Sequence, residues 1–93
     1  MTDYKGKILL VDDDPGLLKL LSIRLKTEGY DIAAVESGMK ALATATNFRP
    51  DLIITDLKMD QMNGIELLQE VQQRWPGLRV LLMTTCQLSF RLS

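Results

Sequence analysis

Four short apolar runs alternate with three segments of helical periodicity along this chain. A short, continuous apolar run bounded by turn residues is typical of a buried strand, and apolar residues spaced three or four positions apart are typical of one helix face. The order is therefore βαβαβαβ. It predicts an α/β fold, a doubly wound parallel sheet with helices on both faces. The predicted strands cover residues 7–11, 31–35, 52–55 and 79–83.

Each predicted helix begins at a residue that can cap it. Asp14 precedes Pro15, Ser37 can cap a helix over about residues 39–46, and Asn63 stands three residues before Glu66, the spacing of a capping box. Asn63-Gly64 is therefore interpreted as a cap and tight turn. The expected inner faces are Leu17, Leu18, Leu21 and Leu25 in the first helix, Ala41, Leu42 and Ala45 in the second, and Ile65, Leu68, Val71 and Trp75 in the third.

Composition limits the classes of function. The 93 residues suffice for one domain, and 11 Lys+Arg balance 12 Asp+Glu without a basic block, so we expect no nucleic-acid binding. No run approaches the ~20 apolar residues of a membrane span, so we expect no membrane partner. Cys86 is the single cysteine, which excludes an intrachain disulfide and favours a reducing, cytoplasmic location. Histidine, the commonest general base, is absent.

Acidic residues follow two of the predicted strands. Asp12, Asp13 and Asp14 come directly after the first, Asp56 ends the third, and Thr84 follows the fourth. Because the carboxyl ends of parallel strands meet at one edge, these groups should converge on one cleft. A solvated turn with a helix cap is the alternative interpretation of the acidic triplet. Close carboxylates favour a bound cation, and an all-oxygen site suits Mg²⁺; a carboxylate can also be a nucleophile toward phosphorus.

Three stretches of the chain resemble the receiver domain of two-component response regulators. They are ILLVDDDPG, DLIITDLKMDQMNG and VLLMTT, and the resemblance runs from about residue 5 to residue 85. It implies a flavodoxin-like receiver fold. Around DLKMD, with Asp60 where most relatives carry proline, the chain is most similar to the receivers of sigma-54-dependent activators, in particular the GlrR-like group.

The resemblance implies a role for each matching residue. Asp56 would accept a phosphoryl group from a sensor histidine kinase, which makes the chain a phosphoryl acceptor and not a turnover enzyme. Asp13 would be the main Mg²⁺ ligand, with Asp12 alongside through water. Asp56 and the backbone carbonyl of Lys58 would complete the protein ligands. Thr84 would bind the phosphoryl group.

The pattern departs from that family after the fourth predicted strand. We expect residues 1–85 to form a receiver domain lacking the fifth strand and fifth helix, and residues 86–93 to be a tail unlike the family. The tail is either an extended strand, given its alternation, or a segment without fixed structure. The family's fifth strand carries a lysine, whereas the last lysine here is Lys58, so phosphoryl transfer is in doubt. An open fourth strand also predicts a homo-oligomer.

Two other functions remain open at this point. The first is an oligomeric interaction fragment that is not phosphorylated, which the absent lysine favours. The second is a phosphohydrolase of the haloacid dehalogenase type, because Asp12-x-Asp14 after an apolar strand also resembles that family. Those hydrolases need a lysine and a further acidic motif after the later strands, and no lysine or acidic residue follows the fourth predicted strand here.

Overall fold

The structure is a computed structural model that describes residues 5–59 and 61–83. The expectations for Asp60, for Thr84 and for residues 86–93 fall outside this described part. In chain order the elements are β1 (Lys7–Val11), α1 (Pro15–Thr27), β2 (Asp31–Val35), α2 (Gly38–Phe48), β3 (Leu52–Asp56), α3 (Gly64–Arg74) and β4 (Arg79–Met83).

The four strands form one parallel sheet in the order β2-β1-β3-β4. β1 is paired on both sides, with Leu9 opposite Ala33 of β2 and Ile53 of β3. The predicted α/β fold with a doubly wound parallel sheet is therefore confirmed. A strand that is paired on both sides and covered on both faces needs apolar side chains at nearly every position, which explains the continuous run in β1.

The core lies in two layers, one on each face of the sheet. Leu9 and Val11 of β1 point into the larger layer, which α2 and α3 cover, and Ile8 and Leu10 point into the smaller layer, which α1 covers through Leu18. The other buried members of the larger layer are Ala41, Leu42, Ala45, Ile53, Leu67 and Val71. Alternation along one strand therefore supplies both layers.

Helices α1 and α2 begin at the caps that the sequence predicts. Asp14 caps α1, with Pro15 as its first residue, and Ser37 caps α2. Helix α2 runs from Gly38 to Phe48, longer than the predicted residues 39–46. Arg49, which follows it as the C-cap, has a left-handed conformation with φ 53°. Within the described residues, no helix combines the length and apolar character that crossing a membrane requires.

The inner face of α3 differs from the prediction. The buried residues are Gly64, Leu67 and Val71, whereas Ile65 is 41% exposed. The expectation that Ile65 faces the core was therefore wrong. The cause lies at the start of the helix, because Gly64 packs directly on the backbone of β3, and this contact sets the rotation of α3 about its axis.

Candidate functional site

Three carboxylates meet at the carboxyl edge of the sheet. Asp12 follows β1 and Asp56 is the last residue of β3; both are buried, while Asp13 is exposed. One carboxylate oxygen from each lies within 4.8 Å of the other two. The strand ends therefore bring together the acidic residues that the sequence singles out after β1 and β3.

Asp12 has the most unfavourable environment of the three. Its Oδ1 accepts a hydrogen bond from the Asp14 backbone N–H at 2.9 Å, but Oδ2 is buried and no described residue donates to it. Burial raises the pKa of the Asp12 carboxyl above its usual value of 3.8. The Asp14 N–H lowers that pKa, and the charges of Asp56, Asp13 and Asp14 raise it. The site thus contains a buried oxygen that lacks a partner.

Asp14 has a separate role from the other two acids of the triplet. Its Oδ1 accepts hydrogen bonds from the backbone N–H groups of Gly16, at 3.0 Å, and Leu17, at 3.3 Å. These are two of the donors that the start of a helix leaves without partners. Asp14 therefore caps α1, while its neighbours Asp12 and Asp13 remain available to the cleft.

Asp56 is held by backbone contacts on two sides. It is paired with Met83 of β4, and the next N–H, that of Leu57, donates to the Met83 carbonyl at 2.8 Å. On the other side the Gly64 N–H donates to the Leu57 carbonyl at 2.9 Å. A Cβ at Gly64 would lie 2.6 Å from the Asp56 carbonyl oxygen and 3.0 Å from Leu57 Cα, so only glycine fits.

The role of Gly64 was missed by the sequence interpretation, which treated Asn63-Gly64 as a cap and turn. The cap is present: Asn63 Oδ1 accepts from the Glu66 N–H, and Glu66 Oε1 accepts from the Asn63 N–H, each at 2.9 Å. Gly64 in addition allows α3 to begin against the backbone of Asp56. The sequence signal of this contact is a glycine eight residues after that aspartate.

The described residues between β3 and α3, 57–59 and 61–63, are here called the β3–α3 loop, and they contribute to the wall of an open cleft beside the acids. The cleft is lined by Asp13, Leu57, Lys58, Met59 and Asn63. Lys58 is exposed to solvent where it lines the cleft. Thr84 lies outside the described residues, although Met83, which precedes it in the chain, is the pairing partner of Asp56.

The donor set fits a hard cation. Asp12, Asp13 and Asp56 offer oxygen ligands only, and Mg²⁺ and Ca²⁺ are the ions that such ligands select. The two ion pairs identified among the described residues, Arg24–Glu28 and Arg74–Glu70, involve none of the three acids. A cation with its bound water would give the buried Asp12 oxygen a partner and offset the mutual repulsion of the carboxylates.

Comparison with known proteins identifies the family. The family model for the response regulator receiver domain matches residues 8–90. The chain belongs to this family. It is also 46% identical to the transcriptional regulatory protein GlrR of Escherichia coli K12 over 84 residues, which cover 90% of this chain and 19% of GlrR. The expected resemblance to GlrR-like receivers is therefore confirmed, and the chain spans about a fifth of that curated relative.

Solved receivers have the same architecture. The response regulator TrrA of Thermotoga maritima, in complex with Mg²⁺-BeF, matches with a TM-score of 0.81 and 34% identity over 86% of this chain and 70% of TrrA. TrrA in complex with the histidine kinase ThkA matches with a TM-score of 0.80 and 34% identity, over 86% of this chain and 69% of TrrA. The four strands and three helices described here are thus those of a flavodoxin-like receiver.

The electrostatic cost at Asp12 leads to a stability prediction. Because its pKa is raised, the folded receiver holds the Asp12 proton more tightly than the unfolded chain, and that contribution to stability is lost as the pH rises through the folded-state pKa. Without metal at neutral pH, Asp12→Asn should raise the free energy of unfolding by about 1 kcal/mol, since it removes a buried charge. The gain should shrink as the pH falls toward 3.8.

Urea unfolding in the presence of a chelator, across this pH range, measures the effect. Asp31→Asn, at an exposed acid on the opposite edge of the sheet, is the matched control and should leave stability nearly unchanged. A lower stability of Asp12→Asn than of the parent at neutral pH without metal would contradict this account of Asp12.

Proposed function

We propose that this chain is the phosphoryl-accepting receiver of a two-component response regulator. Asp56 takes a phosphoryl group from a sensor histidine kinase, and Mg²⁺ is held by Asp12, Asp13, Asp56 and the backbone carbonyl of Lys58. The observation that carries the proposal is the meeting of three carboxylates at the ends of β1 and β3, one of them with a buried oxygen to which no described residue donates.

The different exposure of the acids favours different roles in metal binding. Asp13 is exposed and can meet an ion from solvent, whereas Asp12 is buried behind it. This favours Asp13 as the direct ligand and Asp12 as a partner reached through water, since Mg²⁺ keeps several of its waters in proteins. Magnesium, when bound, would offset the negative charge on the phosphoryl oxygens. TrrA, with 34% identity, has been solved with Mg²⁺-BeF.

Transfer to Asp56 is a substitution at phosphorus. A carboxylate oxygen of Asp56 forms the new P–O bond while the bond from phosphorus to the donor's imidazole nitrogen breaks, and the imidazole keeps the electron pair. The chain contributes to this reaction by holding Asp56 in place. Asp56 is paired with β4 on one side and contacts Gly64 on the other. Thr84, which follows the pairing partner of Asp56 in the chain, is proposed to hydrogen-bond the transferred group.

A histidine kinase is the proposed partner, and the cytoplasm is the proposed location. TrrA is known in a complex with the histidine kinase ThkA, and this chain matches TrrA over 86% of its own length. The hydrolase alternative required Asp12 as the nucleophile. Asp12 is only 1% exposed and one of its oxygens accepts the Asp14 N–H, which leaves it a poor nucleophile for a substrate in the cleft.

We further propose that the chain forms homo-oligomers through β4. In the described part of the sheet β4 is an outer strand, and its Leu81 is 53% exposed on the face that it shares with Ile54 of β3. An outer strand with an exposed apolar residue can pair with another chain. Two copies of β4 related by a twofold axis through its middle residue would place Leu81 opposite Leu81.

Phosphorylation is tested by intact mass after incubation with acetyl phosphate and MgCl₂. We expect one phosphoryl adduct, lost in hydroxylamine because it is an acyl phosphate, and no adduct in Asp56→Asn. Asp31→Asn, an exposed aspartate far from the cleft, is the matched control and should be labelled as the parent is. No adduct on folded chain that binds Mg²⁺ would contradict the proposal, as would an adduct mapped to Asp12.

Metal binding is tested with Asp13→Ala. Because Asp13 is proposed as the direct ligand, the variant should lose at least about tenfold in Mg²⁺ affinity. Amide NMR shifts of Leu57 and Lys58 during a MgCl₂ titration report the affinity at the cleft, and Asp31→Ala serves as the control. An affinity equal to that of the parent would remove Asp13 from the site.

Self-association is tested by sedimentation equilibrium. Leu81→Lys should shift the chain toward monomer, because a charge on an outer strand opposes pairing. Ile23→Lys, which changes a residue of similar exposure, 57% against 53%, on α1, should not. A parent chain that remains monomeric at high concentration would exclude the proposed oligomer.

A further inference from the structure

The β3–α3 loop is fixed at both ends by backbone hydrogen bonds. At its start the Leu57 N–H donates to the Met83 carbonyl at 2.8 Å, and at its end the Gly64 N–H donates back to the Leu57 carbonyl at 2.9 Å. A segment whose two ends are joined in this way cannot slide along the sheet. Its position over the cleft therefore depends on what supports its middle.

Two methionines supply that support. Met59 Sδ lies 3.8 Å from the Thr55 hydroxyl oxygen, a donor within β3, and Met59 packs against the larger core layer. Met62 packs against the same layer and against the first residue of α2, Gly38. The loop thus has one contact with β3 and one with α2, on either side of its centre.

The contact between Met62 and Gly38 leaves no room for a side chain on Gly38. A Cβ at that position would lie 2.7 Å from Met62 Sδ, 3.0 Å from its Cγ and 3.1 Å from its Cβ. Glycine is not required there by backbone conformation, because in the described residues the glycines with positive φ are Gly6 and Gly29. Glycine also lowers helix propensity relative to alanine. Close packing against Met62 is the physical reason for glycine at this position.

We propose that Met62, seated on Gly38, positions the β3–α3 loop and thereby sets the Mg²⁺ affinity of the acidic cluster. The inference rests on the proposed function, in which the Lys58 carbonyl from this loop is a metal ligand. Lys58 and Met59 line the cleft together with Asp13. A displacement of Met62 moves a loop whose ends are closed on each other, so the displacement reaches Lys58. Gly38 and Met62 are positioning residues and do not contact the ion.

The first test is the Mg²⁺ affinity of Gly38→Ala, followed by NMR titration as for Asp13. The added methyl would displace Met62. We therefore expect about tenfold weaker Mg²⁺ binding, a loss typical of mutating residues that orient metal ligands without contacting the metal. Gly77→Ala is the matched control: it adds the same methyl where nothing lies within 4 Å, and its affinity should equal that of the parent.

A rescue experiment separates positioning from general damage to the fold. Met62→Ala removes Sδ and Cγ, the two atoms nearest to the new methyl, and leaves the Cβ 3.1 Å from it. In that background Gly38→Ala should change the affinity by less than about twofold, because the two substitutions act through one contact and are not additive. Met39→Ala, at an exposed methionine next to Gly38, controls for loss of a methionine from this region and should not rescue.

Amide NMR shifts of the metal-free chain report the position of the loop independently of Mg²⁺ binding. In the metal-free chain, Gly38→Ala should shift the amide resonances of Lys58 and Met59, and Gly77→Ala should not. Unchanged loop resonances, or Mg²⁺ affinity equal to the parent in Gly38→Ala, would overturn the inference while leaving the proposed function intact. So would reduced stability with unchanged affinity. A parent chain that binds no Mg²⁺ would overturn the proposed function and this inference with it.

Discussion

Repulsion among three carboxylates within 4.8 Å of one another is the constraint on which the rest of this structure depends. Asp12 directly follows β1, and four of the five β1 residues are buried. Asp12 itself is 1% exposed, and its N–H donates to the Val35 carbonyl of β2 at 3.2 Å. The packed core therefore holds a charge where it is unfavourable for stability. Sites of this kind are where local rules of stability are broken for function, and a bound cation reverses the sign of the interaction.

Glycines at the starts of α2 and α3 determine the position of the loop beside the cleft. Helices α2 and α3 both begin with a glycine, and in each case the missing Cβ allows close contact with the segment that follows β3. Gly64 meets the backbone of Asp56 and Leu57, and Gly38 meets the side chain of Met62. The first residues of two helices thus contact the β3–α3 loop, one near its start and one near its end. Rigid elements, and not the loop alone, define where the loop backbone lies.

The sequence predicts well what depends on local pattern and poorly what depends on contact across space. Strand and helix alternation, the caps at Asp14 and Ser37, and the convergence of acids at strand ends follow from neighbouring residues and from the geometry common to parallel sheets. The rotation of α3 does not. Apolar spacing placed Ile65 inward, but the contact of Gly64 with β3 turns the helix so that Leu67 is buried and Ile65 is 41% exposed.

Attraction of a cation by charge and its coordination by correctly placed oxygens depend differently on distance. The carboxylates provide attraction that varies slowly with distance, as the inverse of the separation. Mg²⁺ in addition requires near-octahedral geometry with oxygens at about 2.0–2.1 Å, so its affinity depends steeply on displacements of a few tenths of an ångström. A Cβ at Gly38 would lie 2.7 Å from Met62 Sδ, so relieving that contact requires a displacement of at least this scale. Under the proposal made above, an uncharged contact outside the cluster influences metal affinity as strongly as one of the charges within it.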